Sequence, residues 1–333
     1  MRSTLLRLSL LILLMAPLSA SAFVTIDWLP VGDPGNACDV QPQGCFGSVF
    51  QEFIIAKHEV TNAQYVEFLN AVAVTDTNGL YDSGMAMANS FGGIIQSGSS
   101  GSHTYAVIPG RASRPINRVD IFDTMRFVNW LANGQPTGPQ DSSTTEDGTY
   151  TMTPSGIANN TIVRNPSAEV FIPLENEWYK AAYYDVETAT YFDYPYGTDS
   201  ATTCAAASTG GANEANCGFL GTTPDLTSVG HYSSSIGPNG TFDQGGNVRE
   251  WSESIFADHC RGNRGGSVTL FGGALETTWR DYSGATVASR DIGIRVAALP
   301  GFAPPIVPSL LPTMFIFLAT LMSTIATLSI RRA

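Results

Sequence analysis

Three stretches of this chain carry the 3.6-residue periodicity of an amphipathic helix, and each is short. Between them lie long segments rich in Gly, Ser, Thr and Asn, such as SFGGIIQSGSSGS within 75–118 and GQPTGPQDSSTTEDG within 134–160. This pattern excludes a helical bundle and a βαβ repeat, which need long regular elements in alternation. The first periodic stretch follows Thr61-Asn62-Ala63-Gln64, which has the form of a capping box, and sets Tyr65, Phe68, Leu69 and Val72 on one face. The second runs from about Asp120 to Asn133, with Ile121, Met125, Val128 and Ala132 on a face and Gly134 placed to end it. The third is expected to begin near Pro173, a residue suited to a first helical turn, with Trp178, Ala181 and Ala182 on its apolar side. VFIPLE, YAVIP and IGIRVAAL read as short strands. The direct expectation is one α+β domain over about 23–300, with few helices and much ordered loop. Loops this long inside a domain carry function or are braced by metals or disulfides.

The two ends stand apart from that body. Residues 1–22 place Arg2 and Arg7 before an apolar run that closes on Ala-Ser-Ala, the layout of a secretory signal peptide cleaved before Phe23. Residues 306–330 are apolar and uncharged, then stop at Arg331-Arg332. That length can cross a bilayer, and the flanking arginines put the terminus inside and the body outside. The chain therefore reads as exported to the cell envelope and held by one C-terminal helix. With the four tail arginines set aside, the body has 13 basic side chains against 29 acidic ones, a formal charge of −16. A nucleic-acid partner needs a basic face and is excluded on this count. In an exported body disulfides are allowed, and Cys38 with Cys45, and Cys204 with Cys217, would close short loops and leave Cys260 over. Connectivity itself is not fixed by spacing. The absence of any Cys-x-x-Cys argues against a thiolate zinc site.

The stretch FDQGGNVREW, 242–251, brackets a flexible turn with Asp243 and Glu250. Hard cations such as calcium take carboxylate and carbonyl oxygens, and Gly245 and Gly246 free the backbone to turn carbonyls inward. Asp243, Gly246, Val248 and Glu250 are the candidate ligands, with Asn247 a turn-former and Trp251 a core residue. Glu175 and Glu177 lie two apart on the third helix and do not face each other, so an acid–base pair is not expected there. Arg295 reads as a structural ion pair or carbonyl contact.

Taken in order, FIIAKHEVTNAQYVEFLN (53–70), RPINRVDIFDTMRFVNWL (114–131), FIPLENEWYKAAYY (171–184) with YPYG (194–197), GTFDQGGNVREW (240–251), RGGS (264–267) and GIRVA (293–297) resemble the formylglycine-generating enzyme, or sulfatase-modifying factor, family. The resemblance spans about 50–298 and implies a C-type-lectin-like α+β fold with little regular structure. It is nearest to exported bacterial members with an anchor tail. This tail lacks the Pro-Glu-Pro that often precedes such anchors, which leaves cleavage by a sorting enzyme open.

The family's best-known members oxidise a substrate cysteine with a copper ion held by two cysteines, at the third and eighth positions after the Gly-Gly-Ser. Those positions here are Leu270 and Leu275, and neither can bind Cu(I) or cycle redox states. The resemblance also implies that Asp243, Gly246, Val248 and Glu250 form a structural calcium site. It implies a second one from Asn216, Cys217, Asp225 and Thr227 in ANCGFLGTTPDLTSVG (215–230). Other relatives are non-haem iron enzymes, but His58, His103, His231 and His259 show neither HxD nor HxxxH spacing. The resulting expectation is an envelope-anchored domain of this family without the copper oxidase centre, binding or scaffolding a protein or glycan. An iron or other oxidoreductase of the same family, and a purely structural surface protein, are the alternatives.

Overall fold

The computed structural model describes residues 23–302 apart from 88–90, 207–209, 219–224 and 258. The signal-peptide and anchor segments expected from the sequence lie outside these residues. No helix among the described residues is long and apolar enough to cross a membrane.

Among the described residues four α-helices form, and their ends show why they start where they do. Helix α1 (Asn62–Val72) is opened by the expected capping box: Thr61 Oγ1 accepts from Gln64 N at 3.3 Å while Gln64 Oε1 accepts from Thr61 N at 2.8 Å. Helix α2 (Ile121–Ala132) uses Asp120 and Asp123 the same way. Its residues from Ile121 to Leu131 are buried on every side, so it runs through the core and not along its surface. Helix α3 (Pro154–Ala158) is a single turn, capped by Thr153, that is too short to leave a periodic trace in the sequence. Helix α4 (Glu175–Tyr183) starts two residues later than expected. Leu174 is its N-cap and offers no side-chain acceptor, so Pro173 stays outside and Glu177 reaches back to Leu174 N at 2.7 Å.

Among the described residues two four-stranded sheets frame the helices. In the first, all antiparallel, the order is Trp28–Val31, Phe53–Ala56, Ala297–Ala298, Val170–Phe171. Ile55 thus pairs with Leu29 on one side and Ala297 on the other, which closes the two ends of the body onto one strand. The second runs Asp281–Gly284, Cys260–Arg264, Arg249–Ala257, Ile292–Gly293, with a parallel pairing only at Arg249–Ile292 and Glu250–Gly293. The main core lies around α1 and α2, where Tyr65, Phe68, Phe127 and Trp130 pack ring to ring at centroid distances of 5.3–6.0 Å. Trp251 joins it and donates its Nε1 to Val119 O at 2.9 Å. The long loops are ordered and carry small hairpins, such as Ile94–Ser97 with Thr104–Val107. Disulfides join Cys38 to Cys45 and Cys204 to Cys217, with Cα atoms 5.5 and 4.8 Å apart, and Cys260 is a half-buried free thiol.

Candidate functional site

The turn 243–248 is the centre of the molecule's polar chemistry. Asp243, Gly246 and Asn247 all have positive φ, at 58°, 88° and 55°. At Gly246 a Cβ would also come within 2.7 Å of Asn216 O, so glycine is required there on two grounds. The turn docks onto the segment after Arg264 through Gly246 N to Gly265 O (2.7 Å) and Val268 N to Asn247 O (3.0 Å).

Asn247 does more than form the turn. Its Nδ2 donates to Glu59 Oε2 at 3.2 Å and to Thr227 O at 3.4 Å, and its Oδ1 accepts from Thr227 N at 3.1 Å and Asn216 Nδ2 at 3.2 Å. Fully buried, it ties three loops together. Glu59, 1 % exposed, accepts long bonds from Asn247 and from Val248 N (3.4 Å). Burial and the neighbouring Asp243 and Glu250 charges push its carboxyl well above the usual range. Asp243, 3 % exposed, accepts from Gly230 N at 2.5 Å, and burial raises it to about 6. Neither Glu59 nor the bonding role of Asn247 emerges from sequence reasoning. The available signal is the acid in His58-Glu59-Val60-Thr61, immediately before a helix cap.

Glu250 and Arg295 are both 0 % exposed. Arg295 Nε lies 2.9 and 2.8 Å from the two carboxylate oxygens, Nη2 lies 2.7 Å from Oε1, and Trp178 Nε1 donates to Oε2 at 2.5 Å. Nη1 and Nη2 also donate to Ala56 O (2.8 Å) and Phe242 O (2.7 Å). Arg295 therefore makes both the ion pair and the carbonyl contacts that its sequence context suggests. Both Glu250 oxygens are saturated, so the set Asp243, Gly246, Val248 and Glu250 does not fit a calcium ion with Arg295 where it stands. In the second expected set Asn216, Asp225 and Thr227 do come together. However, Asp225 is gripped by both terminal nitrogens of Arg114, Asn216 Nδ2 donates to Asp225 O at 2.9 Å, and Cys217 is in a disulfide. Among the described residues no group of three or more His, Cys, Asp and Glu side chains is arranged to hold a metal ion.

Leu270 and Leu275, where the resemblance implies copper cysteines, form part of a packed wall. Leu275 is fully buried in a cluster with Tyr194, Tyr196, Ala215 and the Cys204–Cys217 disulfide. A Cβ on Gly266 would come within 2.7 Å of a Leu275 methyl. Leu270 is half-buried and its carbonyl accepts from Gly218 N at 2.6 Å. Ser267 Oγ is buried and donates to Asp291 Oδ2 at 3.1 Å. Glu175 is held below its usual range despite burial because Arg280 and Arg264 both bond to it, and Glu177 pairs with Arg164 at 2.8 Å. Each of these acids serves its own arginine ion pairs, and neither acts as half of a facing acid–base pair, as the spacing led one to expect. Cavities of about 390, 250 and 310 Å³ open elsewhere, and none of them is lined by residues 264–290. The largest is bounded by Arg114, Asn216, Asp225, Thr227, His231 and Tyr232, among others.

Residues 43–299 match the sequence profile of the sulfatase-modifying factor enzyme 1-like domain. Among solved structures, CarF is 21% identical over 83% of this chain and 98% of its own, with a TM-score of 0.50. Variable protein 1 of Treponema denticola is 16% identical over 86% and 100%, also at 0.50. PvdO from Pseudomonas aeruginosa is 17% identical over 82% and 92%, at 0.47. For the first two, identities this low speak to the fold alone. A comparison with curated protein sequences returns no match.

Proposed function

The chain belongs to the sulfatase-modifying factor enzyme 1-like domain family, and we propose that it serves there as a binding or scaffolding member without cysteine-oxidase chemistry. The observation that carries this reading is Leu275, whose side chain fills the place of a copper thiolate and is buried among two tyrosines and a disulfide. With Leu270 at the other position, the soft ligands that Cu(I) needs are missing. In the proposed setting the body is exported and held at the envelope by the apolar 306–330 segment, with a protein or glycan as its ligand. The two disulfides support an oxidising compartment. The test is incubation of the full chain with a Cys-x-Pro-x-Arg peptide, copper and oxygen, read by mass spectrometry. No formylglycine above a no-protein control is expected; formylglycine formation at catalytic turnover overturns the reading.

A further inference from the structure

We propose that two arginine clasps, Arg295 on Glu250 and Arg114 on Asp225, brace the loops for which the family resemblance implies calcium, and that this chain folds and persists without that ion. Calcium needs six to eight oxygens at about 2.3–2.6 Å, carboxylate oxygens among them. In the first loop each Glu250 oxygen already receives two N–H contacts, three from Arg295 and one from Trp178, at 2.5–2.9 Å. The guanidinium cannot step aside cheaply, because Ala56 O and Phe242 O hold two of its three other hydrogens and no part of it reaches solvent.

The second loop repeats the arrangement independently. Arg114 presents its fork to both oxygens of Asp225, the bidentate geometry that guanidinium favours over any single-point cation. Asn216 turns its amide nitrogen, not its oxygen, toward Asp225 O and Asn247 Oδ1. The Thr227 carbonyl is occupied by Asn247 Nδ2 at 3.4 Å. In both loops, donor hydrogens already occupy one carboxylate that a cation would use, Glu250 in the first and Asp225 in the second. This inference does not depend on whether the chain is an enzyme.

The test uses the full chain, purified without chelator, with calcium content measured by mass spectrometry. Thermal unfolding is then followed in excess chelator and in millimolar calcium. The expectation is well under one calcium per chain and melting temperatures that agree within about 2 °C, whereas a site filled far above its Kd would raise the midpoint by several degrees. Calcium retained near one or two per chain, or a midpoint that climbs with calcium, overturns the proposal. Arg114→Gln provides a second readout, since it frees a half-exposed acid and leaves no charge orphaned in the core. This variant is expected to gain a calcium-dependent rise of several degrees. If it gains none, Arg114 is not what excludes the ion from that loop.

Discussion

Glu250 shows how a single buried carboxylate can be held on both of its oxygens by partners from distant parts of the chain. Its two oxygens receive contacts from Arg295 and Trp178 in a site closed to water. The net worth of such a pair against an apolar replacement is small, but removing one partner strands the other charge at a cost of about 3–5 kcal/mol. Glu250→Gln is therefore expected to lose about that much stability in urea unfolding. The double replacement Glu250→Leu with Arg295→Met is expected to recover part of it, the coupling being read from the cycle. His58 makes a second, smaller prediction. Burial, then Arg295 and Lys57, lower its pKa to about 4, while its ring stacks on Phe242 with centroids 5.3 Å apart. The folded state thus binds its proton less readily than the unfolded chain, so its contribution is present above about pH 6.5 and is lost as pH falls through 4. His58→Phe should match the native chain near pH 7.5 and exceed it by about 1 kcal/mol near pH 4.5, the figure being discounted because the ring is half-buried. At this scale sequence reasoning identifies residue types and not their partners. Asn247 reads as a turn residue because its φ of 55° is a local property, whereas its bonds to Glu59, Thr227 and Asn216 depend on loops 20 to 188 residues away.

At the scale of elements, legibility follows the range of the interaction that fixes each boundary. The capping boxes of α1 and α2 lie within four residues and are set by side-chain bonds to backbone N–H groups that would otherwise lack partners. Thr61→Ala is accordingly expected to cost about 1 kcal/mol, measured by chemical denaturation, with little change in the folded spectrum. The start of α4 shifts by two residues because no capping hydroxyl follows Pro173, and the anchoring comes instead from Glu177 and from Ser254 Oγ, which accepts from Glu175 N at 2.9 Å across 79 residues. The two-residue strands Val170–Phe171 and Ala297–Ala298 fall inside the apolar runs VFIPLE and IGIRVAAL that read as strands, but their ends are fixed by the partners they pair with and not by those runs. The paired Gly265-Gly266, by contrast, is visible in the sequence as a motif. Its structural purpose is to let the 243–248 turn and Leu275 approach the backbone closely, as the contacts that a Cβ would make show.

For the molecule as a whole, the question is what makes two separate sheets one unit. Each sheet has its own strand order, and no strand is shared between them. The link is partly backbone, since residues 294–296 run from Ile292–Gly293 to Ala297–Ala298 and Ala56 N donates to Val296 O at 2.9 Å, and partly side chain: Arg295 joins Glu250 in the second sheet to Ala56 O in the first, and Trp251 reaches from the second sheet to Val119 O beside α2. Elements joined through buried, mutually dependent contacts open together, while those joined by solvated loops open separately. The two sheets and the core around α1 and α2 are therefore expected to unfold in one transition. Trp178, Trp251 and Trp130 report on different parts of that unit, so tryptophan fluorescence and far-ultraviolet circular dichroism should give coincident urea curves. Glu250→Gln should move both curves together. If it melts the second sheet while circular dichroism still reports an intact first sheet and helices, the Arg295 contact is local packing and the body is held together by something else.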